Sequence, residues 1–220
     1  MPTVIDPQLA TFRDWPFRLR RAQQEPARLL VLLHGWQGDE NSMWVFTPNL
    51  PNTLTILAPR APLVAPEGGY TWRKVTAGTW GFPGLGDFYA STEALIAFLD
   101  GWSDSVGLDA RQFDLAGFSQ GAAMAYTLAL LYPQRVRAIA ALSGFLPSGS
   151  EIYLERGALA GKRFFVAHGR RDERIPVERA RSDVAALEAS GTRVTYCESD
   201  TGHTVGNQCL LGIGKFFRDD

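Results

Sequence analysis

Only two of the 220 residues are cysteine, Cys197 and Cys209, and only three are histidine. Two thiols are too few for a disulfide framework or a four-ligand zinc site, so no metal is expected. They read as ordinary buried thiols, and a reducing cytoplasm is the default compartment. Excess charge is also missing: 22 Lys and Arg stand against 23 Asp and Glu, a formal net charge of −1. Such a balance offers no electrostatic reason for a nucleic-acid or acidic-lipid partner, and it is silent on oligomeric state. No apolar run approaches the roughly 18 uninterrupted residues of a membrane helix, so stable membrane insertion is not expected. The first fifteen residues carry Asp6, Arg13 and Asp14 without a basic start and an apolar centre, unlike a secretory signal. Repeats, low-complexity tracts and composition shifts are absent too, which leaves residues 1–220 as one expected domain.

What the chain does have is an abundance of short apolar runs followed by Gly or Pro. They are Leu29–Leu33, Leu54–Ala58, Phe113–Ala116, Ala138–Leu142, Phe164–Ala167 and Arg193–Cys197. Most are apolar at nearly every position, as strands buried on both faces are. Phe17 to Arg21 alternates apolar and basic residues and suits a solvated edge strand. Between the runs, Tyr89–Trp102, Gln120–Tyr132, Val177–Ala189 and Val205–Phe217 have helical spacing. Strand and helix in alternation predict an α/β fold, with a mostly parallel sheet covered by helices on both faces. From Pro59 to Gly86 the rhythm breaks into prolines and glycines interleaved with Tyr70, Trp72, Trp80 and Phe82. Long irregular segments in compact domains are usually functional, so a pocket wall is expected there as readily as an anchored surface loop.

The sharpest motif is Gly117-Phe118-Ser119-Gln120-Gly121, between a buried run and a helical stretch. A serine on a tight strand-to-helix turn has its hydroxyl thrust out of the sheet, and flanking glycines permit the strained, closely approached backbone. Such a hydroxyl needs a base. His34 and His168 each end an apolar run beside a glycine and read as packing groups. His203 follows the last strand-like run, on the side of the sheet where reacting groups gather, and is the expected base. Asp172 is preferred over Glu173 and Asp200 as its acid. It gives the order Ser119, Asp172, His203, each after a different strand. Oxyanion donors are expected from the Gln120 amide at a helix start and from the glycine-rich loop after Leu33. In that loop Trp36 is the first choice and Gln37 a close rival. Trp72, Trp80, Phe145 and Leu146 are the expected walls of an apolar acyl pocket.

The combined motifs resemble the phospholipase/carboxylesterase branch of the α/β-hydrolases, which includes acyl-protein thioesterases. The resemblance rests on Leu33-His34-Gly35 with Gly38-Asp39-Glu40, Ala58-Pro59-Arg60-Ala61-Pro62, Trp72 and the serine pentapeptide. It continues through Leu142-Ser143-Gly144, His168-Gly169 with Asp172 and Pro176, and Gly202-His203. It implies an α/β-hydrolase fold without a large cap domain and a Ser119–Asp172–His203 triad with Trp36 and Gln120 as oxyanion donors. It also implies a small-molecule ester or thioester substrate and no cofactor. Ester hydrolysis on short to medium acyl chains is the leading expectation. Thioesterase, lactone or dienelactone hydrolase, peptidase and non-catalytic binding roles are the rivals.

Overall fold

The computed structural model describes residues 7–75 and 83–219. Its strands in chain order are β1 (Gln8–Phe12), β2 (Trp15–Arg20), β3 (Arg28–Leu33), β4 (Leu54–Pro59), β5 (Leu63–Val64), β6 (Tyr70–Thr71), β7 (Phe113–Phe118), β8 (Val136–Leu142), β9 (Arg163–Gly169) and β10 (Arg193–Ser199). The helices are α1 (Tyr89–Val106), α2 (Gln120–Leu131), α3 (Glu151–Glu155), α4 (Val177–Ala189) and α5 (Asn207–Arg218). One sheet runs β1-β2-β4-β3-β7-β8-β9-β10, and β5 and β6 form a small separate hairpin. From β4 to β10 every pairing is parallel, while β1 and β2 run antiparallel. All six expected strands are present, five inside the sheet and β10 at its edge, and the sheet has the open α/β-hydrolase architecture.

The near-continuous apolar character of the inner strands follows from burial on both faces. In β3, Leu29, Val31 and Leu33 point into one core with residues of α1, α2 and α4. Leu30 and Leu32 point into the opposite core, which α5 covers. Helix α2 is buried at every residue except Leu131, which explains its all-round apolar sequence.

Two expectations need correction. Phe17 and its neighbours are not at the edge, because β1 pairs outside them, and Phe17 is buried against Phe98 and Trp102 of α1. The connecting turn at Arg13 and Asp14 has φ of 49° and 61°, the two-residue hairpin geometry that Asn-Gly or Asp-Gly usually announces. Without that signal the hairpin was invisible in the sequence. Nor are Cys197 and Cys209 free thiols: they are disulfide-bonded. The chain leaves β10 and returns in α5 beside it, bringing their Cα atoms to 5.8 Å, within bridging range. A bridged pair removes the argument from cysteine usage to a reducing compartment. Among the described residues, no helix is long and apolar enough to cross a membrane.

Helix α2 starts so close to β3 that a Cβ on Gly121 would lie 2.0 Å from the Leu33 carbonyl oxygen. Alanine inside a helix normally stabilises relative to glycine by about 1 kcal/mol. Here the sign reverses: Gly121→Ala is expected to destabilise by about 3 kcal/mol through overpacking. Denaturant midpoints of the two proteins check this, and a stabilised variant would contradict the close approach.

Candidate active site

Each strand that feeds the site ends at the same rim of the sheet. Ser119 follows β7, and its φ of 54° and ψ of −116° lie where a non-glycine residue is strained. The strain is held in place by hydrogen bonds on both sides. The Ser119 amide donates to the Leu142 carbonyl (2.8 Å), and the Ser119 carbonyl accepts from the amides of Ala122 (3.0 Å) and Ala123 (3.3 Å). Asp172 follows β9 and His203 follows β10. A Cβ on Gly169 would sit 2.1 Å from the Gly202 carbonyl oxygen. Glycine there lets the loops of the acid and the histidine press together.

His203 Nε2 lies 2.9 Å from Ser119 Oγ, and its Nδ1 lies 2.7 Å from Asp172 Oδ2. The carboxylate is fully buried and can only accept from Nδ1–H, which leaves the Nε2 lone pair facing the serine hydroxyl. Asp172 Oδ1 accepts the amides of Arg174 (2.9 Å) and Ile175 (3.0 Å), so its orientation is set from its own loop. The Phe118 ring packs 5.1 Å from the imidazole, centroid to centroid. A hydroxyl, a tautomer-fixed base and a buried acid in this line can pass a proton from serine to imidazole.

A cavity of about 830 Å³ opens over the serine. Ser119, Gln120 and His203 line it together with Gly35, Trp36 and Gln37 from the loop after β3. Met43, Val45, Phe46, Phe118, Phe145 and Ile175 make much of the remaining wall apolar. Arg73, Arg174 and Arg179 also line it, and among the described residues no carboxylate does. That lining favours negative charge developing inside the cavity. Arg179 lies 4.3 Å over the Phe145 ring and donates to the Leu146 carbonyl (3.1 Å), holding this wall in place.

Residues 17–219 match the family model described as Phospholipase/Carboxylesterase. The chain belongs to the phospholipase/carboxylesterase family of α/β-hydrolases. It is 30% identical over 145 residues to acyl-protein thioesterase 1 of Debaryomyces hansenii. That match takes in 57% of the chain and spans 61% of the length of this curated relative. The crystal structure of esterase PE8 is 27% identical with a TM-score of 0.80, covering 91% of this chain and 96% of that one. A carboxylesterase from Mesorhizobium loti shares the fold at 24% identity and a TM-score of 0.78, over 97% and 99% of the two chains.

The structure of this family member brings Ser119, His203, Trp36, Gln37, Gln120 and Phe145 together at one cavity, with Asp172 buried behind His203. Trp72 and Leu146 are not among its lining residues. Trp72 is wholly buried behind the wall, where its indole donates to the His34 carbonyl (2.8 Å). Leu146 is also buried, and its amide donates to Asp183 (2.8 Å). Trp80 lies outside the described residues. Two supports had no expectation attached. The Gln120 side chain accepts from Thr71 Oγ1 (3.1 Å) and from the Trp72 amide (2.9 Å), tying the start of α2 to the aromatic segment. Arg60 grips Glu40 through two bonds of 2.7 and 2.9 Å and lies 4.5 Å over the Tyr70 ring, bracing the loop that carries Trp36. Arg60 and Glu40 were each legible as part of a motif, but their pairing was not.

His34 and His168 are packing groups, as their strand-end positions suggested. His168 Nε2 donates to the Ile175 carbonyl (2.8 Å), closing the Asp172 loop. His34 Nδ1 donates to the Gly35 carbonyl (2.7 Å), and its Nε2 accepts the Ala61 amide (2.9 Å). Burial pushes the His34 imidazole down to about 4 from an ordinary 6.5. Folding therefore favours the neutral ring: this contribution is complete above about pH 6.5 and is lost as pH falls towards 4. The loss amounts to about 3 kcal/mol. Asp183, pushed up to about 6 by burial, has the opposite sign and loses its contribution as pH rises through 6. Chemical denaturation from pH 7 to pH 4 is expected to show a flatter acid loss in His34→Gln than in the wild type. Equal slopes would contradict the assignment.

Proposed function

We propose that this protein is a carboxylesterase that cleaves short- to medium-chain esters through an acyl-enzyme at Ser119. The observation that supports this reading most directly is the aligned set Ser119 Oγ, His203 and Asp172, at 2.9 and 2.7 Å. His203 Nε2 removes the hydroxyl proton as Ser119 attacks the acyl carbonyl, and Asp172 stabilises the imidazolium that forms. Amides of Trp36 and Gln120 receive the oxyanion, with Gln37 the alternative to Trp36. Gln120 adds the favourable end of the α2 dipole. His203 then returns its proton to the leaving alcohol, and water deacylates the serine by the same route in reverse. An apolar wall within about 830 Å³ suits an aliphatic acyl group.

A thioester is the second substrate class, favoured by the sequence identity to an acyl-protein thioesterase. The same steps apply, with a thiol as leaving group. Matched ester and thioester series from two to twelve acyl carbons would rank the two classes. The expected result is highest kcat/KM on esters at the shorter end, and turnover confined to very bulky acyl groups would contradict it.

Ser119→Ala is expected to lower kcat on a short-chain nitrophenyl ester by at least about 10³-fold and to abolish fluorophosphonate labelling. Asp172→Asn should cost a factor of the order of 10³–10⁴, by presenting the wrong imidazole tautomer. Full turnover in Ser119→Ala, with the variant folded by circular dichroism, would refute the reading.

A further inference from the structure

We propose that the Cys197–Cys209 bond positions His203 for proton transfer. This inference rests on the assignment of His203 as the base. His203 stands midway along the segment that the bond closes, between the end of β10 and the first turn of α5. The bond therefore turns the loop of the base into a covalent ring anchored on a strand and a helix.

The need for such an anchor follows from the topology. Strand β10 is the last of the sheet and pairs only with β9, whereas β7 and β9, which lead to Ser119 and Asp172, each pair on both sides. The base thus leaves the scaffold from an edge strand. Backbone ties flank the residue: the Arg170 amide donates to the Ser199 carbonyl (2.8 Å) and the Arg171 amide to the Thr201 carbonyl (2.9 Å). On the far side Ser143 Oγ donates to the Thr204 carbonyl over a longer 3.4 Å. Among the described residues, none of these loop ties involves the His203 backbone itself. Its imidazole must nevertheless hold two partners at 2.7 and 2.9 Å, and a displacement near 1 Å can cost of the order of 10² in rate. Cys209 is wholly buried and packs with Phe165, Ala167 and Ile213 in the core under α5. The bond transfers the rigidity of that core to the edge strand. Cys197 and Cys209 are in this sense positioning residues, with no contact to the reacting atoms.

The test compares the wild type with Cys197→Ala/Cys209→Ala at a temperature well below both unfolding midpoints, using a short-chain nitrophenyl ester. The expected result is a loss of about tenfold in kcat with KM within twofold, and an equal slowing of fluorophosphonate labelling. A kcat within twofold of wild type in the folded variant overturns the proposal and leaves the bond a stability element only. A second comparison places the same pair of substitutions in a His203→Ala background. If the bond acts through His203, the residual rate changes by less than twofold, whereas a further tenfold loss overturns the proposal. Should the double variant not fold, the native protein is reduced instead with dithiothreitol, whose two thiols close to a ring disulfide as Cys197 and Cys209 become thiols. The thiols are then alkylated and the same kcat criterion applies. An active wild type with inert Ser119→Ala, but no kcat change on loss of the bond, would sink this proposal while sparing the esterase reading. A wild type without turnover or labelling would sink both.

Discussion

A left-handed, strained backbone at Ser119 is the constraint around which the other parts of the site are arranged. Such a conformation costs of the order of 1–3 kcal/mol and persists only where its surroundings over-determine it. Here β8 receives the amide of Ser119 and α2 donates two amides to its carbonyl. The small residues at Gly117 and Gly121 let α2 and β3 close around the turn: a Cβ on Gly117 would lie 2.2 Å from the Gly121 carbonyl oxygen. The hydroxyl is held clear of the sheet by the same packing that makes α2 the most buried helix.

Around that turn, three loops from β3, β9 and β10 converge because parallel strands release their chains on one side of the sheet. Each loop has its own brace. Arg60 and Glu40 hold the loop of Trp36, the Asp172 side chain and His168 hold the loop after β9, and the disulfide closes the loop of His203. Burial is distributed accordingly, with His34 and His168 enclosed while His203 keeps some access to the cavity.

The cavity combines one expected feature with one that composition could not foretell. Its walls are mostly apolar, yet three arginines line it in a chain whose formal charge is −1. A nearly neutral chain can concentrate one sign of charge where loops meet. There the low-dielectric walls strengthen its action on an anion in the cavity.

The sequence by itself determined the rhythm of strands and helices, the serine on its turn, and the singling out of His203 among three histidines. The rhythm and the turn match the structure because they rest on local chemistry: a strand buried on both faces must be apolar throughout, and a strained turn must be flanked by glycines. Tertiary structure alone decided that β1 lies outside β2 and that Cys197 meets Cys209. It also decided that Trp72 and Leu146 stand behind the wall while Phe145 faces the cavity. Each of these depends on pairing between segments remote in the chain, or on a turn without its usual residues, and neither leaves a periodic trace in the chain. Trp72 and Phe145 are both large aromatic residues in irregular segments, and only the tertiary packing separates a buried support from a residue that lines the cavity.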